Sequence, residues 1–292
     1  MALSSSGDAA LPLASPAADL ERRFGGLARL YGEAGARRIR SAHAVVVGLG
    51  GVGSWAAEAL ARSGIGQLTL IDLDHISESN INRQIHALDG TLGQSKVEAM
   101  RERIALIHPG CVVNCIEEFV EPDNWPQLAG LTLTHDNLLG VIDACDQVKA
   151  KVAMAAWAIG RRVHFMGVGA AGGKRHAHKV DIDDLALTTH DPLLAQVRYR
   201  LRKHHGAARK GKIGLACVFS REAVMQPGSF PPSPPESICL LDPGADLHKA
   251  IDPSATIDGS LNCHGYGSVV SVTSTFGVCA AGWLIDKFAS QR

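Results

Sequence analysis

Val45-Val46-Val47-Gly48-Leu49-Gly50-Gly51-Val52-Gly53 opens the stretch that decides the fold, which runs on to Lys96. A short apolar run, Val45 to Val47, turns through the glycines into a helical segment, Ser54 to Arg62. A second apolar run, Leu68 to Ile71, ends at Asp72. The order is strand, glycine turn, helix, strand, acid. Glycines let the backbone turn tightly and come close to a phosphate. The helix start behind them offers unpaired N–H groups and the positive end of a dipole to that anion. An acid roughly 20 residues past the glycines suits the hydroxyl pair of a ribose. The glycine turn alone is a weak signal, and the strand-turn-helix-strand context makes it a strong one. The pattern predicts an α/β fold: a Rossmann-like, mostly parallel sheet with helices on both faces, plus a C-terminal extension on the acceptor side.

The residues beyond Asp72 narrow the ligand. Asp74 leads into Ser79-Asn80-Ile81-Asn82-Arg83-Gln84 and then Gly93-Gln94-Ser95-Lys96. Hydride transfer has no evident use for Asn, Arg, Gln and Lys just beyond a ribose acid. A triphosphate does, because a fixed guanidinium and an ammonium neutralise charge that builds on phosphorus. For any one of these residues alone, a solvated polar loop is the competing reading.

The glycine loop, Leu70-Ile71-Asp72, Ser79-Asn80 with Arg83-Gln84, and Gly93 with Lys96 together resemble the ThiF-like, ubiquitin-activating-enzyme superfamily of ATP-dependent adenylating enzymes. The bacterial adenylyltransferases of thiamine and molybdopterin synthesis belong to it. The resemblance implies ATP rather than NAD, Mg2+ and a homodimer, with a monovalent cation as a further candidate. It implies that Gly48, Gly50, Gly51 and Gly53 hold the phosphates and that Asp72 holds the ribose. Asn80, Arg83, Gln84 and Lys96 would orient and neutralise the triphosphate. Asp146 comes after a buried strand, Leu138 to Ile142, and ligands of open parallel sheets sit beyond such strand ends. The resemblance makes Asp146 the magnesium ligand; the alternative is an N-cap for a helix from Gln147 to Ile159. Arg83, Lys96, Asp146 and Arg29 are the catalytic candidates.

Two further stretches resemble one branch, the tRNA threonylcarbamoyladenosine dehydratases. The first is Arg23-Phe24-Gly25-Gly26 with Ala28-Arg29-Leu30-Tyr31-Gly32, ahead of a short helix through Ile39. In the superfamily an arginine of this segment reaches the partner subunit's ATP site. Arg29 is the choice here, with Arg22 and Arg23 as alternatives and a surface ion pair as the bland reading. The second is Asp191-Pro192-Leu193 and the helix to Lys203, with Arg198, Arg200, Arg202 and Lys203. Arg209, Lys210 and Lys212 continue the charge. These residues, with Lys174, are the candidate tRNA contacts; a solvated helix face competes.

Composition sets the bounds. The chain has 292 residues, 46% hydrophobic and 20% charged, with formal net charge zero. Nucleic-acid binding would therefore rest on a local basic patch. The seven cysteines form no C-x-x-C pair, so the superfamily's frequent zinc site is not visible. Their odd number and the lack of a secretory pattern point to reduced thiols in a cytoplasm. Residues 1–20 read as a disordered tail, 21–166 as the ATP-binding domain, and 167–292 as a substrate- and tRNA-facing half with a proline-rich insertion at 226–257. The second glycine loop, Gly167 to Lys174, is expected on the acceptor side of the cleft. Ser268 to Ile285 is a long apolar stretch, read as a strand-helix element or a helix against the sheet, with membrane attachment as the minority reading. Cys263 beside His264, and Cys217, are the thiols whose reactivity is open.

The reaction implied is ATP-dependent cyclisation of N6-threonylcarbamoyladenosine next to the tRNA anticodon. One alternative is adenylation of a small ubiquitin-like sulfur carrier. Another is a non-catalytic nucleotide-binding partner in a sulfur-transfer complex, and a cysteine desulfurase system is the candidate partner.

Overall fold

Short apolar runs alternate with amphipathic ones along most of the chain, and each becomes a strand or a helix of one layered unit. The computed structural model describes residues 18–131, 138–226 and 266–290. The strands are β1 (His43–Val47), β2 (Gln67–Ile71), β3 (Val112–Ile116), β4 (Leu139–Asp143), β5 (His164–Val168), β6 (Val180–Asp184) and β7 (Ala216–Ser220). The helices are α1 (Leu20–Ser41), α2 (Gly53–Arg62), α3 (Lys96–Ile107), α4 (Val148–Arg161), α5 (Pro192–His204) and α6 (Val270–Ser290). The strands form one seven-stranded sheet in the order β3-β2-β1-β4-β5-β7-β6. Every neighbouring pair is parallel except β6 with β7. The α/β expectation is met.

Alternation along β1 shows how the layers form. Ala44 and Val46 face a core shared with α1, α2, α3 and α6. Val45 and Val47 face the opposite core, shared with α4 and α5. Each such buried aliphatic side chain contributes roughly 1.5–3 kcal/mol. The order reverses between β1 and β4, so a crevice opens beyond their carboxyl ends.

The long apolar stretch near the C-terminus is the helix α6, packed on the sheet and on α2. Phe276, Ala280, Leu284 and Phe288, spaced by four, are fully buried. At Gly277 the two helices meet backbone to backbone: a Cβ there would lie 2.4 Å from the Val52 carbonyl oxygen and 2.9 Å from the Ala56 nitrogen. No helix among the described residues is long and apolar enough to cross a membrane.

Several expectations need adjustment. The leading helix is longer than expected and breaks at Gly32, where φ is 71° and ψ 163°. β7 inserts between β5 and β6, an order that local pattern does not reveal. The boundary expected after Met166 falls within β5, and β6 and β7 complete the sheet begun by the first half. Residues 1–17 of the expected tail, 227–257 of the proline-rich insertion, and Cys263 with His264 lie outside the described residues.

The α2–α6 contact yields a paired prediction. Gly277→Ala should lower stability by about 1–3 kcal/mol through overpacking. A Cβ at Gly282 would meet nothing within 4 Å. Gly282→Ala should be neutral or stabilising by up to about 1 kcal/mol. Urea unfolding of both variants checks this, and equal stabilities would remove the claimed contact.

A candidate nucleotide-binding cleft

The turn from β1 into α2 is built by one close approach. Gly48 has φ of +85°, and a Cβ on Gly53 would sit 1.8 Å from the Gly48 carbonyl oxygen. No side chain other than hydrogen closes this turn. Gly53 is absent from the cleft lining, and its missing side chain is what lets the turn close. Gly48, Gly50 and Gly51 do line the cleft. A Cβ at Gly50 would meet nothing within 4 Å, so the space it faces is open to a ligand. Val52 caps α2 without a side-chain hydrogen bond, which leaves first-turn N–H groups for an anion.

Asp72, at the end of β2, is buried and ties this turn down. One carboxylate oxygen accepts from the Leu49 N–H at 2.5 Å and the other from the Asp74 N–H at 2.9 Å. Burial pushes its carboxyl up, while the Lys96 ammonium and these two N–H groups pull it down. Lys96, also buried, donates to Asp74 at 2.7 Å and lies 3.9 Å from Asp72. The ammonium is therefore held at the cleft by two carboxylates.

The polar loop is fixed from behind. The Trp55 indole N–H donates to the Arg83 carbonyl at 2.9 Å. The Arg83 guanidinium donates to the Ser79 carbonyl at 2.6 Å, and its Nε has no partner among the described residues. Asn80 accepts from the Ser77 N–H at 3.1 Å. Gln84 is buried, and its Oε1 has no partner among the described residues. A buried polar atom without a partner is costly, and such atoms often face a ligand. Asn80, Arg83, Gln84 and Lys96 all line the cleft.

On the far wall, the fully buried Lys151 joins the ends of β4 and β5. Its ammonium donates to the carbonyls of Asp143 at 3.0 Å and Val168 at 2.8 Å, and lies 3.1 Å from the Asp143 carboxylate. The Asp143 charge holds Lys151 above its ordinary value against the effect of burial. Asp146 comes next, exposed and lining the cleft. The cap of α4 is Gln147, so Asp146 is not the helix cap. Burial and the Asp143 charge push the Cys145 thiol well above its usual range, so it is no ready nucleophile. Burial likewise pushes the Cys217 thiol up. Gly169 to Gly172 of the second glycine loop close this side.

The cleft encloses about 620 Å³, within the usual range for a small-molecule site. Sequence reasoning missed Phe119 and Val120 beyond β3, Leu193 of α5, Thr273 of α6, and the Lys151 anchor. The first pair had a usable signal, since they lie just past a parallel strand end. Thr273 and Leu193 had none, being brought in from distant sequence.

Other expected residues lie elsewhere. Arg29 is exposed and not part of this cleft lining. Arg23 is committed to the Ile107 carbonyl at 2.7 Å. Lys174 is buried and donates to the carbonyls of His190 and Glu222, which removes it from an RNA-facing surface. Arg198 is turned inward onto the Leu185 and Thr188 carbonyls at 2.9 and 3.1 Å. Arg200 is half-buried, Arg202 donates to the Ala208 carbonyl at 3.1 Å, and Lys203 is exposed.

His86, just behind the polar loop, is buried with neither ring nitrogen partnered among the described residues. Burial, then the Lys96 and Arg103 charges, push its ring from 6.5 down to about 4. The unfolded chain then binds the extra proton between these values. Stability is fully present above about 6.5 and falls as pH drops toward about 4, by up to about 3 kcal/mol. His86→Phe should remove that share of the acid loss at little cost near neutrality. Denaturant unfolding across this pH window, wild type against variant, checks it; parallel curves would refute it.

The chain that builds this cleft is similar to known proteins along most of its length. A model of the ThiF family matches residues 23–227. The tRNA threonylcarbamoyladenosine dehydratase of Escherichia coli is 41% identical over 92% of this chain and 94% of that protein. Its crystal structure in complex with ATP superposes with a TM-score of 0.75 at 39% identity, covering 93% of this chain and 96% of that one. The AMP complex gives a TM-score of 0.75 at 40% identity, with the same coverage of 93% and 96%. The match spans the turn, the polar loop and the far wall of the cleft, and the chain belongs to the ThiF family.

Proposed function

We propose that the chain binds ATP in this cleft and uses it to dehydrate threonylcarbamoyladenosine in tRNA, closing the threonyl side chain into a ring beside the anticodon. The observation that carries the reading is the convergence of Asn80, Arg83, Gln84, Lys96 and Asp146 on the cleft headed by the glycine turn. The RNA substrate is inferred from the name of the Escherichia coli relative and its nearly full-length similarity.

A carboxylate resists attack because its leaving group is oxide. A threonyl carboxylate oxygen attacks a phosphorus of ATP, forming a P–O bond as pyrophosphate, or ADP, departs. An atom of the carbamoyl group then attacks the carboxyl carbon. The activated oxygen leaves with its phosphate, and the carbamoyl proton passes to solvent. The nucleoside has lost one water. Complexes of the relative with both ATP and AMP support the adenylyl route. No enzyme nucleophile is required; positioning and charge stabilisation supply the rate.

The residues divide the work. Gly48, Gly50 and Gly51 leave room for phosphate against the start of α2. Asp72 accepts the ribose hydroxyls with its remaining lone pairs. Phe119 and Val120, which line the cleft beyond β3, would give the adenine an apolar surface. Arg83 and Lys96 neutralise the developing charge, Lys96 exchanging Asp74 for phosphate oxygen. Magnesium suits this donor set. Asp143 is committed to Lys151, whereas Asp146 is an exposed carboxylate on the cleft. One carboxylate plus phosphates and water is a usual magnesium environment. When bound, the ion would neutralise phosphate charge. Arg29, outside its own cleft, would complete the site of a second copy.

Calorimetric titration should show ATP binding with NAD far weaker. Nucleoside mass spectrometry after incubation with ATP and tRNA should show the modified adenosine lighter by one water. Unchanged tRNA with adenylation of a ubiquitin-like carrier would replace the reading. Arg83→Ala should reduce the rate by roughly a hundredfold to a thousandfold. Mixing Arg29→Ala with Asp146→Ala protein should restore activity at some hybrid sites. No recovery with subunit exchange confirmed would exclude the arginine acting across subunits.

A further inference from the structure

With Lys174 and Arg198 turned inward, the face of α5 left for RNA is small and specific. It borders a cavity of about 540 Å³ lined by Ala195, Arg198, Tyr199, Arg202, Lys203 and Arg209. The lining holds cations and no carboxylate. Tyr199 is 61% exposed, unusual for so large a ring. The Lys203 ammonium lies 5.6 Å from its centroid. Ala195, one turn earlier on the same face, is too short to cover it.

A largely exposed aromatic ring among cations with no carboxylate in the lining is what unstacked bases seek: the ring takes the base, the cations take the flanking phosphates. A merely solvated face would need charge alone. We propose that Tyr199 is a stacking platform for an unpaired base of the RNA, with Lys203 and Arg209 on the adjoining phosphates. This rests on the tRNA reading above.

The position of α5 supports it. Asp191 caps the helix through the Leu194 N–H at 2.9 Å and holds the Ala170 N–H of the cleft loop at 2.9 Å. Leu193, in the first turn, lines the ATP cleft. At 1.5 Å per residue, Tyr199 stands roughly 9 Å farther along the axis. An RNA loop that wraps this short helix would place one nucleotide at the cleft and rest a nearby base on Tyr199. A paired stem offers no such base.

The test uses the whole protein and an anticodon stem-loop RNA carrying a fluorescent purine analogue in its loop, with a fully paired RNA as control. Tyr199→Ala should weaken stem-loop binding about tenfold and leave the salt slope unchanged, because no phosphate contact is lost. Lys203→Ala and Arg209→Ala should each lower that slope, by up to about 0.7–0.9. Wild type and Tyr199→Phe should quench the analogue, and Tyr199→Ala should not. Paired RNA should bind wild type and Tyr199→Ala alike, and ATP affinity should be the same throughout. Unchanged stem-loop affinity and quenching in Tyr199→Ala, or equal losses on loop and paired RNA, would overturn the platform while leaving the substrate reading intact. Failure of wild type to bind or modify any RNA would sink both.

Discussion

A lysine with all of its protons engaged holds the wall of the cleft. Lys151 is fully buried and reaches two backbone carbonyls and one carboxylate, at 3.0, 2.8 and 3.1 Å. An ammonium has three donors, and here each has an acceptor. That matters because a buried charge without partners costs several kcal/mol. The acceptors sit at the ends of β4 and β5, so the lysine fixes the two strand ends from which Asp146 and the second glycine loop depart. Removing it would leave the Asp143 carboxylate buried and unpaired, and both loops would lose their common anchor.

The opposite wall is held by charges that a ligand can rearrange. Lys96 rests between Asp74 and Asp72, and Arg83 rests on the Ser79 carbonyl. These contacts keep both cations at the cleft before any phosphate arrives. Little reorganisation is then needed when charge appears on phosphorus, and that is the condition under which electrostatic stabilisation is most effective. The two walls differ in kind: a closed ion pair on one side and exchangeable pairs on the other.

The basic helix shows that a cluster of like charges in sequence is not one functional unit. Arg198 stabilises the turn at Leu185 and Thr188, while Lys203 and Arg209 face an open cavity. The same helix is capped by Asp191, which also binds the cleft loop. The acceptor side of the cleft and the basic surface are thus connected through one short element.

Local pattern carried the parallel α/β class, most strands and helices, and most of the polar residues that line the cleft. Strand and helix periodicities are local, and Gly48, Asp72, Arg83 and Lys96 lie within one stretch whose spacing is dictated by the β1-α2-β2 unit. Long-range packing set the rest. The insertion of β7 between β5 and β6 depends on long-range pairing. Thr273 and Leu193 reach the cleft because α6 and α5 pack there, and no local pattern carries that information. At Gly53 a Cβ would come within 1.8 Å of a carbonyl oxygen, and its missing side chain is what lets the turn close. Lys174 and Lys203 are both lysines in basic surroundings. One is buried against two carbonyls and the other borders an open cavity, because the direction of a side chain is set by what packs around it.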